Sequence, residues 1–386
     1  MSISIRAGLV SLVFATALVG CGKKQEAPPA AETAAAPAAT APASTEEKVV
    51  NVYNWSDYID PATLEQFTAE TGIKVNYDVF DSNEVLETKL LAGNTGYDVV
   101  VPSASFMERQ IKAGVFRKLD RSKITNWDKL DPEVLQRVAL HDPGNEHAVN
   151  FMWGTTGIGY NPEKVKAALG VDTIDSWETV FKPENAAKLK DCGMVMLDAP
   201  TEVFDSALIY LGKDPNSESE ADLEAARELI MGVRPYVRYF HSSQYINDLA
   251  NGEICVALGW SGDILQAQAR GAEAEKPVTV AYAIPKEGAI VWFDMLAIPA
   301  DAPHPGNAHK FINYIMEPAV IAAISNYVAY ANGNAASFEL VDEAVRTDPS
   351  VYPTPEVKAK LYPSLAESQE YSRLSNRAWT TVRTGQ

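Results

Sequence analysis

Apolar positions along this chain change period several times, and each change marks an element. Val49–Tyr53 is a short β-branched and aromatic run that predicts a strand. Asp60-Pro61 then supplies the residue types of a helix N-cap and first turn, and Leu64 and Phe67 continue at helical spacing to a stop at Gly72. Ile73–Val79 alternates with the two-residue period of a strand. Asn83–Gly93 returns to helical spacing, with Val85, Leu86, Leu90 and Leu91 expected on one buried face. Val99–Val101 is a continuous apolar run of the kind a parallel sheet buries on both sides. The opening reads βαβαβ and predicts an α/β fold with parallel strands and crossover helices.

The alternation continues. Phe151–Tyr160 and Val195–Leu197 read as strands, Ala221–Met231 as a helix, and Ile254–Leu258 and Ala289–Ile298 as strands. Phe311, Ile315, Ile321 and Ile324 then predict one long amphipathic helix. No internal repeat recurs at a fixed period. Two α/β lobes, with the chain crossing between them near residues 153, 292 and 331, account for this order. The expected boundaries are 49–153 with 293–331 for the first lobe and 154–292 with 332–386 for the second.

The N-terminus concerns address rather than fold. Residues 1–20 carry one basic residue, Arg6, and an uncharged apolar run from Ala7 to Val19, too short for a span and typical of a secretory signal. It ends in Leu18-Val19-Gly20-Cys21, similar to a bacterial lipobox, so Cys21 is expected to carry a lipid anchor; an ordinary signal with a chance cysteine is the alternative. Residues 21–48, rich in Ala, Pro, Thr and Glu, have little to bury and are expected to form a disordered tether. Beyond the signal the formal charge is 32 basic minus 51 acidic residues, because only Arg6 is lost from 33, or −19. That surface argues against nucleic acid. The length after residue 48 favours two lobes over one core. Cys192 and Cys255 form an even pair in an oxidising compartment, which favours a disulfide over two free thiols.

Candidate chemistry lies where strands end. Val52-Tyr53 runs into Asn54-Trp55-Ser56-Asp57-Tyr58; Ile254–Leu258 runs into Gly259-Trp260-Ser261-Gly262-Asp263; and Val291-Trp292-Phe293-Asp294 repeats the Trp/Asp pairing. In open α/β sheets ligands sit beyond the carboxyl ends of strands, so these deliveries can converge on one cleft. Taken singly, a Trp is more often core and an Asp more often a cap. Together, indole faces beside carboxylates suit a cation with an apolar body: rings attract ammonium groups and cover methylenes, and carboxylates bond the charged ends. Gly259-Trp260-Ser261-Gly262-Asp263 falls one glycine short of a G-x-S-x-G nucleophile elbow and has no marked histidine partner, so a hydrolase using Ser261 ranks last. The five histidines show no metal-ligand spacing, and neither metal nor cofactor is expected. Trp127, Trp177 and Trp379 have no strand-delivered carboxylate beside them and read as packing.

The stretches NWSDYI, YDVFDSNEVLETKLLAGNTGYDVVVPSASF, MWGTTGIGYN, HSSQYINDLANGEICVALGWSGD and FDMLAIP together resemble the periplasmic polyamine-binding proteins of ABC transporters, the putrescine/spermidine group, from about Val49 to Trp379. The resemblance implies the type II periplasmic-binding fold, two α/β lobes closing on ligand about crossing strands. It implies an aromatic box of Trp55, Tyr58, Trp260, Trp292 and Tyr330, acidic amine ligands at Asp57, Glu202, Asp263 and Asp294, polar contacts at Ser56 and Ser103, and a Cys192–Cys255 disulfide. Trp292 matches spermidine-preferring members, whereas Ser56-Asp57, Ser105 and Ala199 match putrescine-type ones; on balance spermidine or dual binding is expected. The implied protein is a non-enzymatic, monomeric, periplasmic lipoprotein that hands polyamine to an inner-membrane ABC permease. A polyamine sensor docking on a signalling receptor is the alternative.

Overall fold

The computed structural model describes residues 46–386; the signal, the lipobox Cys21 and nearly all of the tether lie outside the described residues. Strands β1 (Val49–Trp55), β2 (Lys74–Phe80) and β3 (Val99–Val100) are parallel, with β1 between the other two. The intervening helices are set by local chemistry. Asp60 caps Pro61–Thr71 by accepting from the Ala62 N–H at 3.0 Å, and Gly72 ends it in the left-handed conformation at φ 67°. Ser82 caps Asn83–Ala92.

Strand β4 (Ala148–Tyr160) is buried along its whole length, and the two halves of the sheet meet on it. Its first part runs antiparallel to β9 (Ala289–Ala297) and its second part antiparallel to β7 (Val256–Trp260) and β8 (Ala281–Ala283). Beyond β7, strands β5 (Met194–Met196) and β6 (Val237–Phe240) add in parallel, so the order is β2-β1-β3-β9-β4-β7-β5-β6. The sheet is parallel at both ends and antiparallel in the middle, the mixed arrangement expected of two α/β lobes joined by crossing strands; the βαβαβ opening by itself pointed only to the parallel part. β10 (Ala331–Asn332) pairs with Trp153 and Met152, and Trp153 and Gly154 face Phe293 and Trp292 across the β4–β9 ladder. The positions expected to be chain crossings, near 153, 292 and 331, are therefore neighbours in the sheet. β11 (Leu361–Pro363) returns the C-terminal segment alongside the start of β9.

Two element readings need correction. The long helix expected through Phe311 and Ile324 is two helices, Pro305–Ile315 and Pro318–Val328, because Pro318 cannot donate a helical hydrogen bond and opens a new first turn. On Asn83–Ala92 only Leu86 and Leu90 are buried; Val85 and Leu91, at 47% and 56% exposure, flank the one-turn stripe and face solvent. Cys192 and Cys255 are disulfide-bonded (S–S 2.05 Å), tying the turn before β5 to the residue that enters β7. No helix among the described residues is long and apolar enough to cross a membrane.

Candidate functional site

Three strand ends on one side of the β4 seam build one wall. β1 delivers Trp55, whose Nε1 donates to the Val101 carbonyl at 2.9 Å and whose ring packs on Phe80 at the end of β2 (centroids 4.6 Å apart). Asp57 adopts φ 54°, a left-handed conformation that Asp tolerates better than most residues, and this reversal carries Tyr58 inward. The Tyr58 hydroxyl donates to Asp294 on β9 at 2.9 Å, and Ser103, just past β3, donates to the other carboxylate oxygen at 2.6 Å. Ser103 is itself set by Asn83, which donates to its Oγ at 2.9 Å and accepts from its N–H at 3.0 Å.

The facing wall comes from helix starts beyond β5 and β7. Asp263, in the first turn of Ser261–Glu273, accepts from Tyr245 at 2.7 Å and Tyr330 at 2.8 Å. Glu202, in the first turn of Pro200–Tyr210, accepts from the Thr156 hydroxyl. Trp260 meets Trp55 edge-on, centroids 5.4 Å apart, and Tyr330 bridges Tyr58 (5.0 Å) and Trp292 (5.5 Å). Two glycines make this packing possible: a Cβ on Gly262 would lie 2.4 Å from the Tyr330 ring, and one on Gly154 would lie 2.8 Å from the Trp292 indole.

These side chains line a pocket, open in part to solvent, with about 390 Å³ of free space. Ten of the eleven contact residues inferred from the sequence line it: Trp55, Ser56, Tyr58, Ser103, Glu202, Trp260, Asp263, Trp292, Asp294 and Tyr330. Asp57 does not. Its side chain points outward to Arg270 (2.7 Å) while its carbonyl accepts from Gln266, so its charge is matched across the cleft instead of offered within it. Asn83, the first residue of the helix that follows β2, also lines the cavity and was missed. Tyr245 and Thr156 were missed too; they orient carboxylates from behind, and single polar residues in such stretches carry no distinguishing signal. Ser105 and Ala199 are buried outside this lining.

No basic side chain lines the cavity among the described residues. Burial therefore dominates its electrostatics. It pushes Asp263, Asp294 and Glu202 each up to about 7, outweighing the hydroxyl donors that favour the ionised forms. Three carboxyls poised in this way between aromatic walls suit a ligand that brings positive charge on an apolar chain. Ser261 accepts from the Thr155 N–H at 3.4 Å, and no histidine is hydrogen-bonded to it among the described residues. No group of three or more His, Cys, Asp or Glu side chains there is placed to hold a metal ion. Trp177 is core as expected. Trp379, read as packing alone, also donates its Nε1–H to Asp198 just past β5, at 2.8 Å.

The family model for bacterial extracellular solute-binding proteins matches residues 62–354. The putrescine-binding periplasmic protein SpuD of Pseudomonas aeruginosa is 57% identical over 343 residues, covering 89% of this chain and 94% of that protein. The putrescine-binding periplasmic protein PotF of Escherichia coli is 56% identical over 344 residues, 89% and 93% respectively. A solved Listeria monocytogenes structure assigned to a spermidine/putrescine ABC transporter superposes with a TM-score of 0.78 at 31% identity, covering 88% of this chain and all of that one. The two lobes on crossing strands are those of the type II periplasmic-binding fold, and the family is one of solute-binding rather than catalytic proteins. The chain belongs to the bacterial extracellular solute-binding proteins, in the group of periplasmic polyamine-binding proteins of ABC transporters.

Proposed function

We propose that this protein captures a linear polyamine, putrescine foremost, between its lobes and delivers it to an inner-membrane ABC permease. In this reading it works as a monomer held to the membrane through a lipid on Cys21. The observation that carries the reading is the set of buried carboxyls, Asp263 and Asp294 above all, whose partners are hydroxyls and not cations. A buried charge without a counter-charge is costly. A diammonium chain supplies two, and Trp55, Trp260 and Trp292 cover its methylenes. Putrescine is favoured because SpuD and PotF carry that ligand in their names, and because Trp292 is fixed by its Nε1–H to Thr156 (3.3 Å) and by contact with Gly154, which shortens the cavity. That reading displaces the spermidine or dual preference expected on balance from Trp292 set against Ser56-Asp57, Ser105 and Ala199.

Capture proceeds by closure of residues 49–153 with 293–331 onto 154–292 with 332–386, bending where β4, β9 and β10 adjoin. Ligand bridges both lobes and so binds the closed state better than the open one, which shifts the population. The receptor-docking alternative rests on no comparable observation. Calorimetric titration of residues 46–386, stripped of ligand by unfolding and refolding with the disulfide intact, tests the proposal against putrescine, cadaverine, spermidine and spermine. Tight binding of putrescine with compaction in solution scattering is the expected result. Binding of spermidine alone would overturn the choice of ligand, and no binding to any of the four would overturn the function.

A further inference from the structure

Outside the cleft, a small second pocket, partly open to solvent, lies between the helix Pro200–Tyr210, the loop at 215–218 and the returning segment at 365–371. Asp205, Glu218 and Glu367 line it together with Tyr371 and Leu365. Asp205 is only 8% exposed, no side-chain hydrogen bond to its carboxylate is formed among the described residues, and the access it keeps is through this pocket. By contrast, the buried Asp263 and Asp294 each take two hydroxyls, and the buried Asp98 takes backbone N–H groups. Burial and the facing carboxylates push the Asp205 carboxyl well above the usual range, so its charged form is unfavourable without a cation and gains when one enters.

The neighbouring cations are engaged. Lys213 pairs with Asp222, which also holds the lining Ser217, and Arg109, the cation that acts on Glu367, makes a two-pronged pair with Glu87 at 2.6 and 2.8 Å. Glu218 spends one oxygen on the Ser368 N–H. No cluster fit for a metal ion is present among the described residues, whereas carboxylates beside the Tyr371 ring and Leu365 repeat, at smaller scale, the chemistry of the main cleft. We propose that this cavity is a second, weaker site for a primary alkylammonium group, with Asp205 as its principal acceptor. It lies outside the cleft, so its occupancy is separable from capture.

The test uses the whole chain with its cleft saturated by putrescine, titrated with propylammonium chloride and followed by the amide and ring resonances of Glu367 and Tyr371. Saturable shifts are expected, weakened about tenfold or more in Asp205→Asn, since a hydrogen bond to a charged group is worth at least that much. Glu367→Gln, at a less buried position, provides a second variant if Asp205→Asn fails to fold, and it should weaken the same event. Absence of saturable shifts, shifts unchanged in either folded variant, or a response to calcium chloride and not to propylammonium would each overturn the proposal. Putrescine binding in the cleft is read separately in the first titration, so its loss would count against the proposed function and not against this site.

Discussion

Asp263 and Asp294 are nearly inaccessible, lie among aromatic rings, and are pushed up to about 7 by burial. A diamine is a dication between pH 6 and 8, its amines resembling a lysine in basicity, and it needs these groups ionised. A carboxyl with a pKa of about 7 is roughly nine-tenths protonated at pH 6 and one-tenth protonated at pH 8. Each one that must ionise therefore weakens binding about tenfold at the lower pH. Two such groups predict an affinity about a hundredfold tighter at pH 8 than at pH 6, and Glu202, also at about 7, adds up to another tenfold. With the cleft closed and empty, the same groups act on stability with the opposite sign. Their folded pKa values lie above the ordinary carboxylate range, so they stabilise the empty fold at low pH, and that stability is lost as pH rises from about 4 through about 7. The assay is calorimetric titration with putrescine at pH 6, 7 and 8, each in two buffers of different ionisation enthalpy. The expected result is release of one to three protons per ligand at pH 6 and few at pH 8. A flat affinity, with heats independent of buffer, would refute the reasoning: the carboxyls would already be ionised in the empty protein, as they would be if its cleft stands open to water.

Asp294→Asn should weaken polyamine binding by more than about 1.5 kcal/mol, because it removes an ionised acceptor at the ligand's end, whereas Asp57→Asn should cost less than about 1 kcal/mol, since its pair with Arg270 is over a third exposed on both sides; equal losses in parallel titrations would contradict the site's geometry. Gly262→Ala forces the Tyr330 ring away and should weaken binding by about 1–3 kcal/mol while the circular dichroism of the fold is retained; unchanged affinity would mean that Tyr330 does not position Asp263. Replacing Cys192 and Cys255 by alanine opens a bridge across 63 residues and should lower stability to denaturant by up to about 4 kcal/mol, with ligand affinity at neutral pH little changed.

Much of this molecule follows from local chemistry. The Asp60-Pro61 start and Gly72 stop, the β-branched run of β1, and the Trp and Asp that close three apolar strands are all consequences of short-range backbone and burial preferences, so period and residue type alone revealed them. The same preferences, combined with the rule that ligands gather beyond strand ends, reached Trp55, Ser56, Tyr58, Trp260, Asp263, Trp292 and Asp294, whereas Ser103, Glu202 and Tyr330 came only from the resemblance to the polyamine-binding family. What they could not reach depends on partners distant in sequence. Whether Asp57 offers its charge to a ligand depends on a guanidinium 213 residues away. Whether Asp263 and Asp294 sit near 7 or near 4 depends on how completely Tyr58, Tyr245 and Tyr330 exclude water from them, and burial is a property of the assembled fold. The antiparallel middle of the sheet belongs to the same class. β4 reads as one apolar strand, and only its two sets of neighbours, β9 on one part and β7 with β8 on the other, make it the seam between two lobes.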